Sequence, residues 1–177
     1  MEQKQRTRML VEAGLSIAIA YVLHFVVLFQ MPQGGSVNAA NLVPLIIFAI
    51  RWGGKWGVIT CMAYGIIDFL LGFKFSLHFL SILLDYILGY GAIGVAGFFG
   101  NSRVRAIWGV TAGCALRWGC SVVSGLSYSL PMHGRSNPWI YSMIYNASYM
   151  VPELVINMAV IVLFYNRIMK GIRSTRG

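Results

Sequence analysis

From Met9 to Tyr165 the chain is a series of long apolar runs, and the breaks between them are short and mostly basic. That alternation admits few folds. A soluble core of this length cannot hide so much apolar surface. Only 11% of the residues are charged and 58% are hydrophobic, against about 25% charged in ordinary soluble domains. At about 20 residues per crossing, the sequence predicts an all-α membrane protein, a single transmembrane domain over residues 1–177. Six spans are expected, at about 9–29, 37–50, 56–71, 77–99, 106–128 and 139–165.

The net charge of +9 would point to nucleic acid in a soluble protein. Here no basic stripe with interleaved aromatics exists, and nucleic acid is excluded as a partner in favour of the lipid bilayer. The basic residues instead report orientation. With both termini cytoplasmic, that side holds eleven: Lys4, Arg6, Arg8, Arg51, Lys55, Arg103, Arg105, Arg167, Lys170, Arg173 and Arg176. The outer side holds two, Lys74 and Arg135, and Arg117 lies within a span. A multi-pass cell-membrane protein with this orientation is therefore expected. The first run reads as a span rather than a cleavable signal, because Ser16-Ile17-Ala18 lies inside it.

Cys61, Cys114 and Cys120 fall within apolar runs at no metal or redox spacing and read as packing residues. His24, His78 and His133 show no metal-ligand spacing, so no metal site is expected. The chain has no phosphate-loop motif and no catalytic constellation. An enzyme and an ATPase are both disfavoured, and the energy for any transport must come from a partner or a gradient. No repeat of 20–50 residues is present, which leaves inverted-repeat transporter architecture unsupported.

Asp85 stands inside the apolar run Leu83–Tyr90. A carboxylate at such depth costs about 2.5–3.5 kcal/mol or more unless something offsets it. Asp85 lies eight residues into its span and Asn146 seven into the sixth, so both sit roughly 10–12 Å down. Tyr86, Tyr141, Tyr145 and Tyr149 are near that level, with Arg117 somewhat deeper. Polar groups converging from three helices describe an outward-facing pocket. Tyr141, Tyr145 and Tyr149 recur every four residues, a helical stripe expected to face the bundle interior. Each residue has a plainer rival role. Asp85 and Arg117 would form a structural ion pair, the tyrosines an interfacial belt, Asn146 a helix bridge, and Trp139 an interfacial anchor instead of a lid contact. Asp68, near the end of its span, reads as solvated; Glu153, after Pro152, reads as structural.

The segments Pro32-Gln33-Gly34-Gly35-Ser36, Leu84-Asp85-Tyr86 and, most specifically, Asn137-Pro138-Trp139-Ile140-Tyr141-Ser142-Met143-Ile144-Tyr145-Asn146-Ala147-Ser148-Tyr149-Met150-Val151-Pro152-Glu153 resemble the thiamine-specific substrate-binding (S) component of energy-coupling-factor (ECF) vitamin transporters. The resemblance covers nearly the whole chain. It implies the six-helix S-component fold, thiamine as ligand with no cofactor, and a lid from the first loop (Gly34, Gly35, Ser36, Asn38). It also implies docking through the first helix onto an ECF transmembrane coupling subunit driven by two ATPase subunits. By position, Asp85 stands where relatives carry a vitamin-contacting acid. Tyr86, Tyr141 and Asn146 fall on binding positions and Arg117 on a basic one; Trp139 and Tyr145 complete the candidate set. Gly14 and Ala18 form a small-xxx-small pair suited to the docking face. Some members have Trp and Glu around the first loop, where this chain has Gly34-Gly35-Ser36-Val37-Asn38, and His and Trp where it has Ser121 and Ser129. A thiamine precursor or another vitamin is the alternative ligand, and a purely structural membrane subunit the alternative function. Thiamine itself suits the residues: a carboxylate pairs with its cation or amine, and aromatic faces add about 0.5–2 kcal/mol each.

Overall fold

The computed structural model describes residues 3–32, 35–72, 78–100, 102–127 and 137–174. Six helices form the bundle: Gln3–His24, Val43–Trp52, Gly54–Leu71, Phe79–Phe98, Arg103–Ser127 and Pro138–Ser174. Five are long and apolar enough to cross a membrane, while the second has 10 residues. Around a core that includes Leu45, Ile46, Tyr64, Ile93, Val110 and Ile161, the outer faces expose Val11, Leu15, Val22, Leu70, Leu71 and Leu163. Apolar side chains on both the inner and outer faces identify a multi-pass membrane protein.

Two expected boundaries are corrected near the first loop. The first helix stops at His24 rather than running to residue 29. Val27–Gln30 is a strand (β1) paired antiparallel with Ser36–Asn38 (β2), Val27 opposite Asn38 and Gln30 opposite Ser36, with an irregularity between Val27 and Phe29. The β-branched and aromatic run Val26–Phe29 pairs readily once a turn closes it. Gly35 supplies a positive φ of 86° there, a conformation that side chains resist. The second helix consequently begins at Val43, not at residue 37, with Pro44 in its first turn where a missing N–H is harmless. Gly53, at φ 90°, is all that separates it from the third helix. At this end of the bundle Glu12 binds Arg8 (3.1 Å), Arg51 (2.9 Å) and the Trp52 indole (2.7 Å), fastening the first helix to the second.

The fourth helix is not a uniform α-helix. Ile82–Leu88 winds with the wider π spacing, Gly89–Ile93 returns to α, and Gly94–Phe98 tightens to 3₁₀. Glycines let the third helix press against it. A Cβ on Gly65 would overlap the Tyr86 carbonyl oxygen, and one on Gly94 would overlap the backbone of Val58. The sixth helix extends past residue 165 to Ser174. Its 37 residues make about 55 Å, longer than a hydrocarbon layer of about 30 Å. Leu77, Lys74, Tyr128 and Arg135 lie outside the described residues.

Candidate functional site

A cavity of about 210 Å³ opens at the hairpin end of the bundle. The two strands cover it, and its walls come from the end of the first helix, at His24, and from the third to sixth helices. Gly35 rests against the Tyr149 ring, so close that a Cβ would lie 2.7 Å from Cε1. Val37, Met31, Tyr145, Tyr149 and Met150 share one apolar cluster. The hairpin is therefore seated on the sixth helix by packing.

Three of the chain's five carboxylates line this cavity: Asp68, Asp85 and Glu153. The π turn carries Asp85 and Tyr86 into it; such wide turns recur at functional sites because they re-aim side chains. Asp85 Oδ2 accepts the Ser81 hydroxyl at 3.0 Å and also the Ser124 hydroxyl, and Ser124 lies 3.1 Å from Ser81. Hydroxyls from two helices thus solvate the carboxylate without neutralising it. The Asp85–Arg117 pair considered from sequence is corrected: Arg117 Nη1 meets Glu153 Oε2 at 3.2 Å, and its guanidinium lies 4.5 Å over the Tyr90 ring. The Arg117 side chain thus ties the fifth helix to the sixth.

Asp68 is also corrected. It is 5% exposed, not solvated, and its Oδ2 accepts the Tyr90 hydroxyl at 2.9 Å. His24 Nδ1 stands 3.6 Å from Asp68 Oδ1.

Asn146 lines the cavity with its amide already engaged. Nδ2 donates to the Ser142 carbonyl (2.9 Å) and the Ser121 carbonyl (3.3 Å), and Oδ1 accepts the Tyr149 hydroxyl at 2.7 Å. It braces the fifth helix against the sixth and orients the ring under the hairpin.

The family model for Thiamine transporter protein (Thia_YuaJ) matches residues 10–172. The chain belongs to this family. The thiamine transporter ThiT of Bacillus subtilis strain 168 is 33% identical over 181 residues, which cover 93% of this chain and 94% of that one. The solved structure of ThiT from Listeria monocytogenes aligns with a TM-score of 0.77 at 20% identity, covering 95% of this chain and 98% of that chain. The expected six-helix S-component fold is the one adopted.

Within this thiamine-transporter chain, Asp85, Tyr86, Arg117, Tyr145 and Asn146 line the cavity together with Gly35, Ser36 and Asn38; Gly34 and Ser129 lie outside the described residues. Tyr141 and Trp139 are not among the lining residues. Tyr141 stacks on Tyr145 at 5.9 Å, and Tyr145 meets Tyr149 edge-on at 6.1 Å, a relay of rings leading inward. Trp139 is 52% exposed. The buried face of the sixth helix includes Ser142, Asn146, Tyr149, Met150, Glu153 and Asn157; Tyr149 of the tyrosine stripe is buried, and Tyr141 and Tyr145 are half-buried. His24, Asp68, Ser81, Tyr90 and Ser124 were missed as site residues. For Asp68 a signal existed: it continues the buried stripe Cys61, Tyr64, Gly65 at helical spacing. Gly14 and Ala18 lie on the exposed face of the first helix, beside Leu10, Val11 and Leu15.

Proposed function

We propose that this chain is the high-affinity thiamine-binding subunit of an ATP-driven ECF vitamin-uptake transporter. The observation that carries the reading is the charge of the cavity: among the described residues, three carboxylates against the single guanidinium of Arg117. After Arg117 offsets Glu153, Asp68 and Asp85 remain, in a region where unpaired charge is costly. Thiamine brings a permanently cationic thiazolium and an aminopyrimidine. Asp85 pairs with the cation or the amine, and the faces of Tyr86, Tyr145 and Tyr149 supply cation–π contact. Family membership and the names of the relatives favour the same ligand.

Thiamine enters from outside, since the eleven-to-two division of Lys and Arg makes both termini cytoplasmic. The hairpin with Gly35, Ser36 and Asn38 covers the ligand, Asp85 and Tyr86 hold it from the π turn, and Asn146 keeps Tyr149 in place. Tyr141 and Trp139 act at one remove, bracing Tyr145 and the helix start. The loaded chain docks through the first-helix face containing Gly14 and Ala18 onto a coupling subunit that two ATPase subunits drive, and releases thiamine inside. The chain contributes binding, not catalysis. The test is titration of thiamine into the detergent-purified protein, followed by tryptophan fluorescence, with hydroxymethylpyrimidine and other vitamins as competitors. Saturable binding at micromolar thiamine or below supports the reading. Its absence refutes it, and tighter binding of a pyrimidine precursor moves the assignment to that ligand.

A further inference from the structure

One corner of the cavity stays incomplete with Asp85 assigned to the cation. His24, Asp68 and Tyr90 meet there from the first, third and fourth helices. Asp68 Oδ2 is satisfied by the Tyr90 hydroxyl. Asp68 Oδ1 and His24 Nδ1 are both shut off from bulk solvent, and neither has a hydrogen-bond partner among the described residues. They face each other at 3.6 Å, too far for a direct hydrogen bond. The His24 ring is fixed by stacking on Tyr21 and an edge contact with Phe25. Asp68 is held by Tyr90, whose ring packs edge-on against Tyr64. Two bare polar atoms on rigid supports in a cavity wall are costly until a third atom completes them.

The gap defines that atom. Beside a carboxylate the imidazole keeps its proton on the facing nitrogen, so the missing group must accept from His24 Nδ1 and donate to Asp68 Oδ1. A hydroxyl does both. An amine on an aromatic ring only donates, and an anionic ester would meet the Asp68 carboxylate at close range.

We propose that His24, Asp68 and Tyr90 form a specificity subsite for a neutral hydroxyl on the ligand. Resting on the thiamine reading, the subsite takes the primary alcohol of the hydroxyethyl side chain, while Asp85 faces the amine-bearing and cationic rings. Asp68 and His24 touch the hydroxyl; Tyr90 is a positioning residue that orients Asp68.

The experiment compares thiamine with its deoxy analogue, ethyl in place of hydroxyethyl, on the full chain in detergent and on Asp68→Leu and His24→Phe. The unsubstituted protein should prefer thiamine by about tenfold or more, the worth of a buried hydrogen bond to a charged group. In each variant thiamine affinity should fall until the preference is below roughly threefold. His24→Phe keeps an aromatic ring at a partly exposed position and carries the comparison if Asp68→Leu does not fold. An unsubstituted protein that binds both ligands equally, or a His24→Phe variant that keeps the full preference, overturns the hydroxyl subsite while leaving the thiamine reading in place. Binding of neither ligand to the unsubstituted protein overturns both.

Discussion

Glu153→Leu isolates the reassigned ion pair. Arg117 and Glu153 meet at 3.2 Å with side chains 13% and 4% exposed. Removing the acid strands a guanidinium inside the bundle, a change that costs about 3–5 kcal/mol in buried pairs. The Tyr90 ring, 4.5 Å from the guanidinium carbon, keeps part of the compensation, up to about 2 kcal/mol. The loss should therefore sit at the low end, about 3 kcal/mol. For a chain of this size each kcal/mol moves the midpoint about 2–4 °C, so Glu153→Leu should melt about 6–12 °C below the unsubstituted protein. Replacing both partners, Arg117→Met with Glu153→Leu, removes the stranded charge and should recover most of that. Thermal melts of detergent-purified protein, followed by tryptophan emission, read the shift. The same three proteins should rank alike in thiamine affinity, since a bare Arg117 beside the site repels the cation. Glu153→Leu melting with the unsubstituted protein, or the double variant melting below Glu153→Leu, would refute the reasoning.

Asp85→Asn should act oppositely: melting shifts little, because the amide oxygen still accepts from Ser81 and Ser124, while thiamine affinity drops about 10–100-fold with loss of the charge; unchanged affinity in the fluorescence titration would remove Asp85 from the site. Gly35→Ala places a Cβ at a positive φ and 2.7 Å from the Tyr149 ring, a strain of about 1–3 kcal/mol on the seated hairpin, and stopped-flow measurement should show faster thiamine release. Gly65→Ala drives a Cβ into the Tyr86 carbonyl, which as backbone cannot rotate away; both the melting midpoint and the affinity should fall, and a variant with normal affinity would mean the π turn does not shape the site.

The helices were legible because apolar runs of membrane length have few other solutions. That Asp85 and Asn146 come to one cavity was legible because rise per residue is fixed. The hairpin was not, since Val26-Val27-Leu28-Phe29 continues the apolar run of the first helix and periodicity does not separate a short apolar strand from helix. The π turn was not, because nothing in the apolar run Ile82–Leu88 separates wide from ordinary helical winding, and the close approach of Gly65 to the Tyr86 carbonyl is a tertiary contact. The partner of Arg117 was not legible, because depth follows from the sequence and rotation does not: only the facing of the fifth and sixth helices selects Glu153 over the rival Asp85. Asp68 shows a different limit: closeness to a helix end suggests solvent, while its place on the stripe with Cys61, Tyr64 and Gly65 buries it.

The wide turn at Ile82–Leu88 amounts to one surplus residue accommodated without breaking the rod. Loss of a single residue between Ile82 and Leu84 would let the segment relax into ordinary α-helix, with both flanks still in phase. The protein would still insert and fold. Asp85 and Tyr86 would swing off the cavity wall together, and a receptor would have been converted into a well-made but vacant bundle by the removal of an amino acid that never touches the cargo.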